Sequence, residues 1–212
     1  MKRMIIKVCG MRDPDNIRSI ETLEVDYLGF IFYAKSSRYV MGDDEQIDTI
    51  RRSRKKKVGV FVNEEFEKIV DIAQVYQLDA IQLHGYESSK ICFALRERGY
   101  FIIKAFQIAS ANDFILTKKY LDCVDYFLFD TKYDGFGGSG KLFDWSLLQN
   151  YKELIPFLIS GGLKISCLCD IKILNHPQFA GIDVNSGFEI LPGVKDFEKI
   201  KVFIDQLNYK EI

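Results

Sequence analysis

The sequence predicts an α/β fold, a single-domain (β/α)8 barrel of the TIM-barrel class that takes up residues 1–212. Eight short apolar runs recur about every 25 residues, and segments with helical spacing of apolar side chains follow most of them. The sixth run, residues 124–129, is largely apolar, as expected for a strand of a parallel sheet that helices cover. Eight strand–helix units that cannot bury their apolar faces separately are most simply accommodated by closure into a barrel.

The first four units are regular. Their apolar runs cover residues 5–9, 27–33, 57–62 and 80–83. Helices are expected after them, where apolar side chains repeat at helical spacing, near residues 15–24, 44–52, 66–73 and 89–98. In the first of these helices, Ile17, Ile20 and Leu23 share one face.

The last four runs cover residues 101–106, 124–129, 157–159 and 182–184, with helices expected near 111–120 and 196–207. After the sixth run, Asp130 leads into a loop with four glycines in six residues, Gly135, Gly137, Gly138 and Gly140. A doubly wound open sheet is the alternative fold. It would ordinarily carry a Gly-rich fingerprint after its first strand, and the Cys-Gly-Met-Arg of residues 9–12 is not one.

Composition and charge narrow the class of protein. A chain of 212 residues, 48% hydrophobic and with a net charge of -1, can bury one sizeable core. The dense basic run at 51–57 is interpreted as the solvated end of a helix, so no nucleic acid partner is predicted. No apolar run is long enough for a membrane span, so no membrane partner is predicted either. Five cysteines without an even framework predict reduced thiols in the cytoplasm, and only two histidines argue against a zinc site.

In a barrel, the carboxyl ends of the strands meet at one mouth, so residues far apart in sequence become neighbours. The residues at these ends are Cys9, Arg38, His84, Asp130 and the turns at 160–162 and 185–187. The two turns follow strands seven and eight, where barrels commonly hold a phosphate on backbone N–H groups. Turn chemistry alone explains each of them singly, but the pair indicates a phosphorylated small molecule.

Two of these residues suit proton transfer. A thiol at Cys9 and a carboxylic acid at Asp130 can be tuned by burial and neighbours toward neutral pH, which would give one base and one acid on opposite sides of a substrate. Arg38 offers a planar fork for a carboxylate, although it could equally be a surface cation. His84 is expected to be a hydrogen-bonded core or rim residue.

Short motifs in a specific order and spacing resemble those of the phosphoribosylanthranilate isomerase family over nearly the whole chain. They are Lys-Val-Cys-Gly at 7–10, Gly-Phe-Ile-Phe-Tyr at 29–33, Ser-Ser-Arg-Tyr-Val at 36–40, Val-Gly-Val-Phe-Val-Asn at 58–63, Gln-Leu-His-Gly at 82–85, Phe-Asp-Thr at 129–131, Gly-Gly-Ser-Gly-Lys at 137–141, Ser-Gly-Gly-Leu at 160–163, Asp-Val-Asn-Ser-Gly-Phe-Glu at 183–189 and Pro-Gly-Val-Lys-Asp at 192–196.

The resemblance implies an Amadori rearrangement in tryptophan biosynthesis, with Cys9 as general base, Asp130 as general acid and Arg38 on the anthranilate carboxylate. It implies a phosphorylated sugar–anthranilate substrate and no metal or organic cofactor, in a monomer or a homodimer. Residues expected at the substrate are Ser160, Gly161, Gly162, Ser186 and Gly187 on the phosphate, Gly135, Gly137, Gly138 and Gly140 in a covering loop, and His84 and Asp183 as candidate contacts.

Two other functions stay open at this point. One is another phosphate-binding barrel enzyme of the histidine or tryptophan pathway type, which would typically oppose two aspartates where this chain has Cys9 and Asp130. The other is a non-catalytic barrel that binds a phosphorylated metabolite without turning it over.

Overall fold

In the computed structural model, which describes residues 3–131 and 144–209, eight parallel strands close into a barrel. The strands are β1 (Ile5–Cys9), β2 (Tyr27–Ile31), β3 (Lys56–Phe61), β4 (Ala80–Leu83), β5 (Phe101–Ile108), β6 (Tyr126–Thr131), β7 (Phe157–Ile159) and β8 (Phe179–Val184). Each strand pairs with the next, and β8 pairs back to β1 with Lys7 opposite Asp183. The predicted fold class is therefore confirmed.

In the described ranges, six α-helices surround the barrel: α1 (Pro14–Ile20), α2 (Asp44–Arg52), α3 (Phe66–Tyr76), α4 (Ser89–Glu97), α5 (Leu168–Ile173) and α6 (Phe197–Asn208). Short 3-10 helices cover Ala111–Tyr120, Trp145–Asn150, Ile165–Cys167 and Ser186–Phe188. After β8 the chain forms a hairpin of β9 (Glu189–Leu191) and β10 (Val194–Lys195) before α6 begins. This hairpin lies beside the barrel mouth and was not expected from the sequence.

Helix ends follow local hydrogen bonds. The side chain of Asp13 accepts from the N–H of Asn16 and Pro14 is the first helical residue, so α1 begins there. The helix ends at Ile20 and not near residue 24, because the next N–H groups bond in the tighter i→i−3 pattern, Thr22 to Ser19 and Leu23 to Ile20.

The segment 111–120 differs from the sequence prediction in its type of helix, and the sixth strand differs in its bounds. Residues 111–120 form a 3-10 helix, in which the Thr117 hydroxyl donates to the Phe114 carbonyl and competes with α-helical bonding. The sixth strand begins at Tyr126 and runs through Asp130 to Thr131, since Asp130 and Thr131 still pair with Gln107 and Ile108 of β5. Asp130 is thus the penultimate residue of the strand.

The apolar core has two layers. Inside the barrel, a small cluster fills the end opposite the mouth, made of Tyr27, Val58, Ala80, Ile103, Ala105, Leu128 and Leu158. A larger layer packs between the strands and the helices, and it includes Phe127 and Phe129 of β6. Because strand side chains alternate, Leu128 faces inward while its two neighbours face the helices.

The basic run at 51–57 is divided between two elements. Arg51 and Arg52 end α2, while Lys57 lies in β3 and forms an ion pair with Asp79 at 3.1 Å. Within residues 3–131 and 144–209, none of the helices has the length and apolar character that crossing a bilayer requires. We propose that the single domain predicted for residues 1–212 is this barrel.

Candidate active site

One pocket opens at the carboxyl ends of the strands, and every predicted site residue in the described part of the chain lines it. These are Cys9, Arg38, His84, Asp130, Ser160, Gly161, Gly162, Asp183, Ser186 and Gly187, joined by Gln82, Asn185 and several apolar residues of β2 and β3. The fold therefore brings together residues contributed by seven different strand–helix units. The covering-loop glycines Gly135, Gly137, Gly138 and Gly140 lie outside the described residues.

Within the described part of the chain, two hydrogen bonds hold Asp130. Its Oδ1 accepts from the N–H of Thr131 at 2.8 Å, and its Oδ2 lies 3.2 Å from His84 Nε2. The other ring nitrogen of His84, Nδ1, lies 2.8 Å from Gln82 Nε2. Because an amide nitrogen can only donate, Nδ1 is the acceptor and Nε2 carries the hydrogen that faces Asp130. His84 thus orients the carboxylate, as a hydrogen-bonded rim residue would.

Cys9 ends β1 with only 3% of its surface exposed, at the bottom of the pocket. Burial raises the pKa of the thiol above its ordinary value; the ammonium groups of Lys7 and Lys195 lower it, while the carboxylate of Asp183 raises it further. The sequence interpretation expected tuning toward neutral pH. In the folded barrel the pKa of Cys9 instead moves away from neutrality, because burial outweighs the two cations.

Arg38 is engaged by a carboxylate of the protein itself. Its Nε and Nη2 atoms donate to the two carboxylate oxygens of Glu189 at 2.8 and 2.7 Å, a bidentate pair that is largely buried. Lys195 donates to the same Glu189 at 2.6 Å and to Asn185 at 2.7 Å. Burial raises the pKa of Glu189, but the bonds from Arg38 and Lys195 more than offset it and leave the pKa below its ordinary value.

The turns after β7 and β8 pack against the rest of the mouth. Gly161 and Gly162 have φ values of +82° and +68°, which favour glycine. A Cβ on Gly161 would collide with Asp130 and Thr131, and one on Gly187 would collide with the Leu163 carbonyl oxygen. Among the described residues, the backbone N–H groups of Gly161 and Gly162 have no acceptor, so they are available to an anion.

Three buried polar atoms at this mouth have no hydrogen-bond partner in the described protein: Gln82 Oε1, Ser160 Oγ and Asp183 Oδ1. Buried polar atoms are normally paired, so a cluster of unpaired ones marks a site for a polar ligand. Their donors and acceptors suit hydroxyl groups. In the described part of the chain, no group of three or more His, Cys, Asp or Glu side chains is arranged to hold a metal ion.

Sequence reasoning missed four residues of this site, Lys7, Gln82, Glu189 and Lys195. Lys7 gave the clearest signal, because a lysine that interrupts the apolar run at 5–9 lies two residues before Cys9 and so shares its face of the strand. Glu189 and Lys195 carried no local signal, since they reach Arg38 only through a hairpin that returns to the mouth.

Similarity to known proteins agrees with this geometry. The family profile of N-(5'phosphoribosyl)anthranilate (PRA) isomerase matches residues 6–206. A relative from Parabacteroides distasonis, named N-(5'-phosphoribosyl)anthranilate isomerase, is 52% identical over 211 residues, which cover 99% of this chain and 96% of the relative. A relative of the same name from Phocaeicola vulgatus is 47% identical over 207 residues, which cover 98% of this chain and 99% of that one.

Two solved structures are also similar. The crystal structure of phosphoribosyl anthranilate isomerase from Thermotoga maritima aligns with a TM-score of 0.81 at 35% identity, over 97% of this chain and 98% of that chain. A structure of the enzyme in complex with reduced 1-(o-carboxyphenylamino)-1-deoxyribulose 5-phosphate aligns with a TM-score of 0.78 at 32% identity, with the same coverage. The chain belongs to the phosphoribosylanthranilate isomerase family and is an enzyme, an aldose–ketose isomerase of tryptophan biosynthesis.

Proposed function

We propose that this isomerase rearranges N-(5'-phosphoribosyl)anthranilate by proton transfer between the substrate and two groups, Asp130 as general acid and Cys9 as general base. The observation that carries the proposal is the single pocket that a thiol from β1 and a carboxylate from β6 line together. The acid and the base must reach different atoms of one small substrate. Cys9 and Asp130 can do so because β1 and β6 lie well apart around the barrel.

In this mechanism Asp130 protonates the furanose ring oxygen, the bond from that oxygen to C1 breaks, and the substrate nitrogen forms an iminium. The thiolate of Cys9 then removes the proton from C2. The electron pair of that C–H bond flows toward the iminium and gives an enolamine. Tautomerisation of the enolamine yields the aminoketone, 1-(2-carboxyphenylamino)-1-deoxyribulose 5-phosphate. The substrate's own nitrogen serves as the electron sink.

The raised pKa of Cys9 fits this sequence of steps. A buried thiol that stays protonated until the substrate binds is protected from side reactions. The iminium places a positive charge near C2, and a nearby positive charge favours the thiolate. The thiol would therefore release its own proton to water in the pocket once the iminium has formed, and the resulting thiolate accepts the proton from C2.

Phosphate binding is proposed at the two turns of the mouth, with Ser160, Gly161 and Gly162 on one side and Ser186 and Gly187 on the other. Backbone N–H groups in glycine-containing turns can approach a phosphate closely. Inorganic phosphate is therefore expected to compete with the substrate.

Replacing Gly162 should weaken this phosphate site. Gly162→Leu is expected to raise KM roughly tenfold or more, because the loss of one hydrogen bond to a charged group is worth about 1.5–3 kcal/mol. Gly99→Leu is the matched control, since Gly99 also has a positive φ, +88°, but a Cβ added there would meet no neighbour within 4 Å. Equal KM values for the folded Gly162→Leu enzyme and its parent would contradict the assignment.

Arg38 is proposed to bind the anthranilate carboxylate. Its Nε and Nη2 atoms face Glu189, whereas Nη1 makes, among the residues that the structure describes, only a 3.5 Å contact with Ser37 Oγ, so the Nη1 edge can serve a second carboxylate. The ion pair with Glu189 holds the guanidinium plane in a fixed orientation, which suits bidentate recognition.

Removal of this fork should be severe. Arg38→Ala is expected to reduce kcat/KM by a factor that corresponds to about 2–5 kcal/mol of transition-state stabilisation. The kcat/KM of Arg38→Lys should lie between those of Arg38→Ala and the parent, because an ammonium cannot replace a planar fork. Arg18→Ala removes an exposed guanidinium that pairs with Asp15 and Glu45 and should leave kcat/KM unchanged. Parental kcat/KM in Arg38→Ala would show that the residue pairs with Glu189 alone.

The proposal is tested by following the fluorescence of the anthranilate group as purified enzyme consumes phosphoribosylanthranilate. Turnover that disappears in the double variant Cys9→Ala/Asp130→Asn is the expected result. Binding of the substrate without turnover would favour the non-catalytic barrel instead. If the enzyme turned over a different phosphorylated sugar of the histidine or tryptophan pathway and did not turn over phosphoribosylanthranilate, the result would favour a related enzyme with another substrate.

Two broader features belong to the same proposal. All five cysteines are free thiols, which supports the reducing, cytoplasmic location expected from the sequence. One related solved structure is described as generated monomers of the dimeric Thermotoga maritima enzyme. For this chain we propose a monomer or a homodimer.

A further inference from the structure

Lys7 is a lysine inside the barrel, directly beneath the candidate base. It lies two residues before Cys9 in β1, so both side chains point into the barrel. Lys7 has no exposed surface, and its Nζ lies 2.8 Å from Asp183 Oδ2 on the neighbouring strand β8. Removing an ammonium from water is expensive, so a lysine here requires a role that an apolar side chain could not fill.

The backbone of β2 leaves room for the lysine and the thiol to meet. Gly29 pairs with Cys9 across the strands. A Cβ on Gly29 would lie 2.8 Å from Cys9 Sγ and 3.1 Å from Lys7 Nζ, so both atoms converge on the space that a side chain would fill. The absence of a side chain at this position is what allows the ammonium to sit beside the sulfur.

The charges facing Cys9 come from several elements of the described structure. Lys7 on β1 and Lys195 on β10 are cations, and Asp183 on β8 is a carboxylate. Arg38, which pairs with Glu189, also interacts with the thiol. Of these charges, Lys7 has the strongest favourable effect on the thiolate, while Asp183 opposes it. Of the two carboxylate oxygens of Asp183, Oδ1 has no hydrogen-bond partner among the described residues, so Asp183 has a free acceptor beside its bond to Lys7.

We propose that Lys7 is a positioning residue for Cys9. The ammonium of Lys7, fixed by Asp183, stabilises the Cys9 thiolate by charge and hydrogen bonding as the proton is transferred. The inference rests on the proposed function, since it gives Lys7 a purpose only if Cys9 accepts a proton. Asp183 then has two effects, because it holds the ammonium in place and limits how far the thiol is acidified.

The test is the rate at which iodoacetamide alkylates Cys9 in the free enzyme at pH 7, measured by mass spectrometry of the Cys9 peptide. That readout separates Cys9 from the other four thiols and requires no substrate. Loss of a neighbouring opposite charge typically changes a pKa by roughly 1–3. A more basic thiolate is more nucleophilic, which offsets about half of the effect on rate, so Lys7→Met should alkylate roughly 3–30-fold more slowly.

Substitution of the partner should act in the opposite direction. Asp183→Asn removes the negative charge that disfavours the thiolate and keeps an amide oxygen that can accept from the Lys7 ammonium, so Cys9 should alkylate faster than in the parent. The double variant Lys7→Met/Asp183→Asn leaves no unpaired buried charge and should again be slower than the parent, since the lysine has the larger effect. A purely structural role for the pair would not produce changes of opposite sign.

Lys104→Met is the matched control. Lys104 is also a buried lysine of a barrel strand and is paired with a carboxylate, Glu87 at 3.1 Å, but its side chain faces outward from β5 and it is not among the charges that act most strongly on Cys9. This variant should lose stability and leave the alkylation rate of Cys9 unchanged.

Parental alkylation in a folded Lys7→Met enzyme would overturn the proposal. If that variant does not fold, an Asp183→Asn rate at or below the parental rate overturns it instead. Failure of the proposed function would give a different result. Cys9→Ala would then turn over substrate at the parental rate, while Lys7→Met and Asp183→Asn would still change the alkylation rate of Cys9.

Discussion

Asp130→Asn is expected to reduce kcat by about 10²–10⁴-fold, the usual value of a positioned general acid. An amide keeps the size of the carboxyl group and an oxygen for the Thr131 N–H, but it has no acidic proton for the furanose ring oxygen. Substrate binding and the fold should persist, because the phosphate turns and Arg38 are unchanged. The loss should therefore appear in kcat and much less in KM.

The control for this variant is another aspartate next to the same strand, β6. Asp125→Asn alters a carboxylate just before β6 that accepts from the Ile102 N–H at 2.7 Å, at the amino end of the strand and away from the mouth. It should lower the unfolding temperature without lowering kcat. A kcat for Asp130→Asn within a few-fold of the parent would mean that another group protonates the ring oxygen.

Cys9→Ala should cause a loss of similar size, at least two decades in kcat, because no other described residue at the bottom of the pocket offers a thiolate. Cys9→Ser should be nearly as slow, since an alcohol is far less acidic than a thiol and gives almost no anion at neutral pH. Comparing the two variants in steady state separates the effect of the proton acceptor from the effect of side-chain volume.

Cys92→Ala provides the matched control for cysteine removal. Cys92 is fully buried in α4, outside the barrel interior, so its loss should affect stability alone. If Cys9→Ser retained most of the parental kcat, the thiol would be needed for packing and not as a base.

Much of the fold was predictable because its signals are local. The strand at 80–83 and the helix at 44–52 lie where the sequence places them, since each combines an apolar pattern with a polar or charged boundary. The 3-10 form of residues 111–120 was not predictable from periodicity. Apolar spacing carries no signal for side-chain hydrogen bonds such as the one from the Thr117 hydroxyl to the Phe114 carbonyl.

The site was predictable where chemistry coincides with a strand end. Cys9, Asp130 and the turns after β7 and β8 have that property, and the barrel rule brings strand ends to one mouth. The partner of Arg38 was not predictable, since Glu189 is 151 residues away and reaches it through the β9–β10 hairpin. The raised pKa of Cys9 likewise depends on burial in the folded barrel, and the local sequence carries no measure of it.

Single-turnover kinetics of Cys9→Ala test most directly whether Cys9 removes the proton from C2. Enzyme in excess over phosphoribosylanthranilate isolates the chemical step from product release. We predict tight binding of the substrate followed by conversion at least two decades slower than in the parent, because the variant lacks the positioned base. Conversion at a near-parental rate would contradict the role of Cys9 and assign the proton to another group.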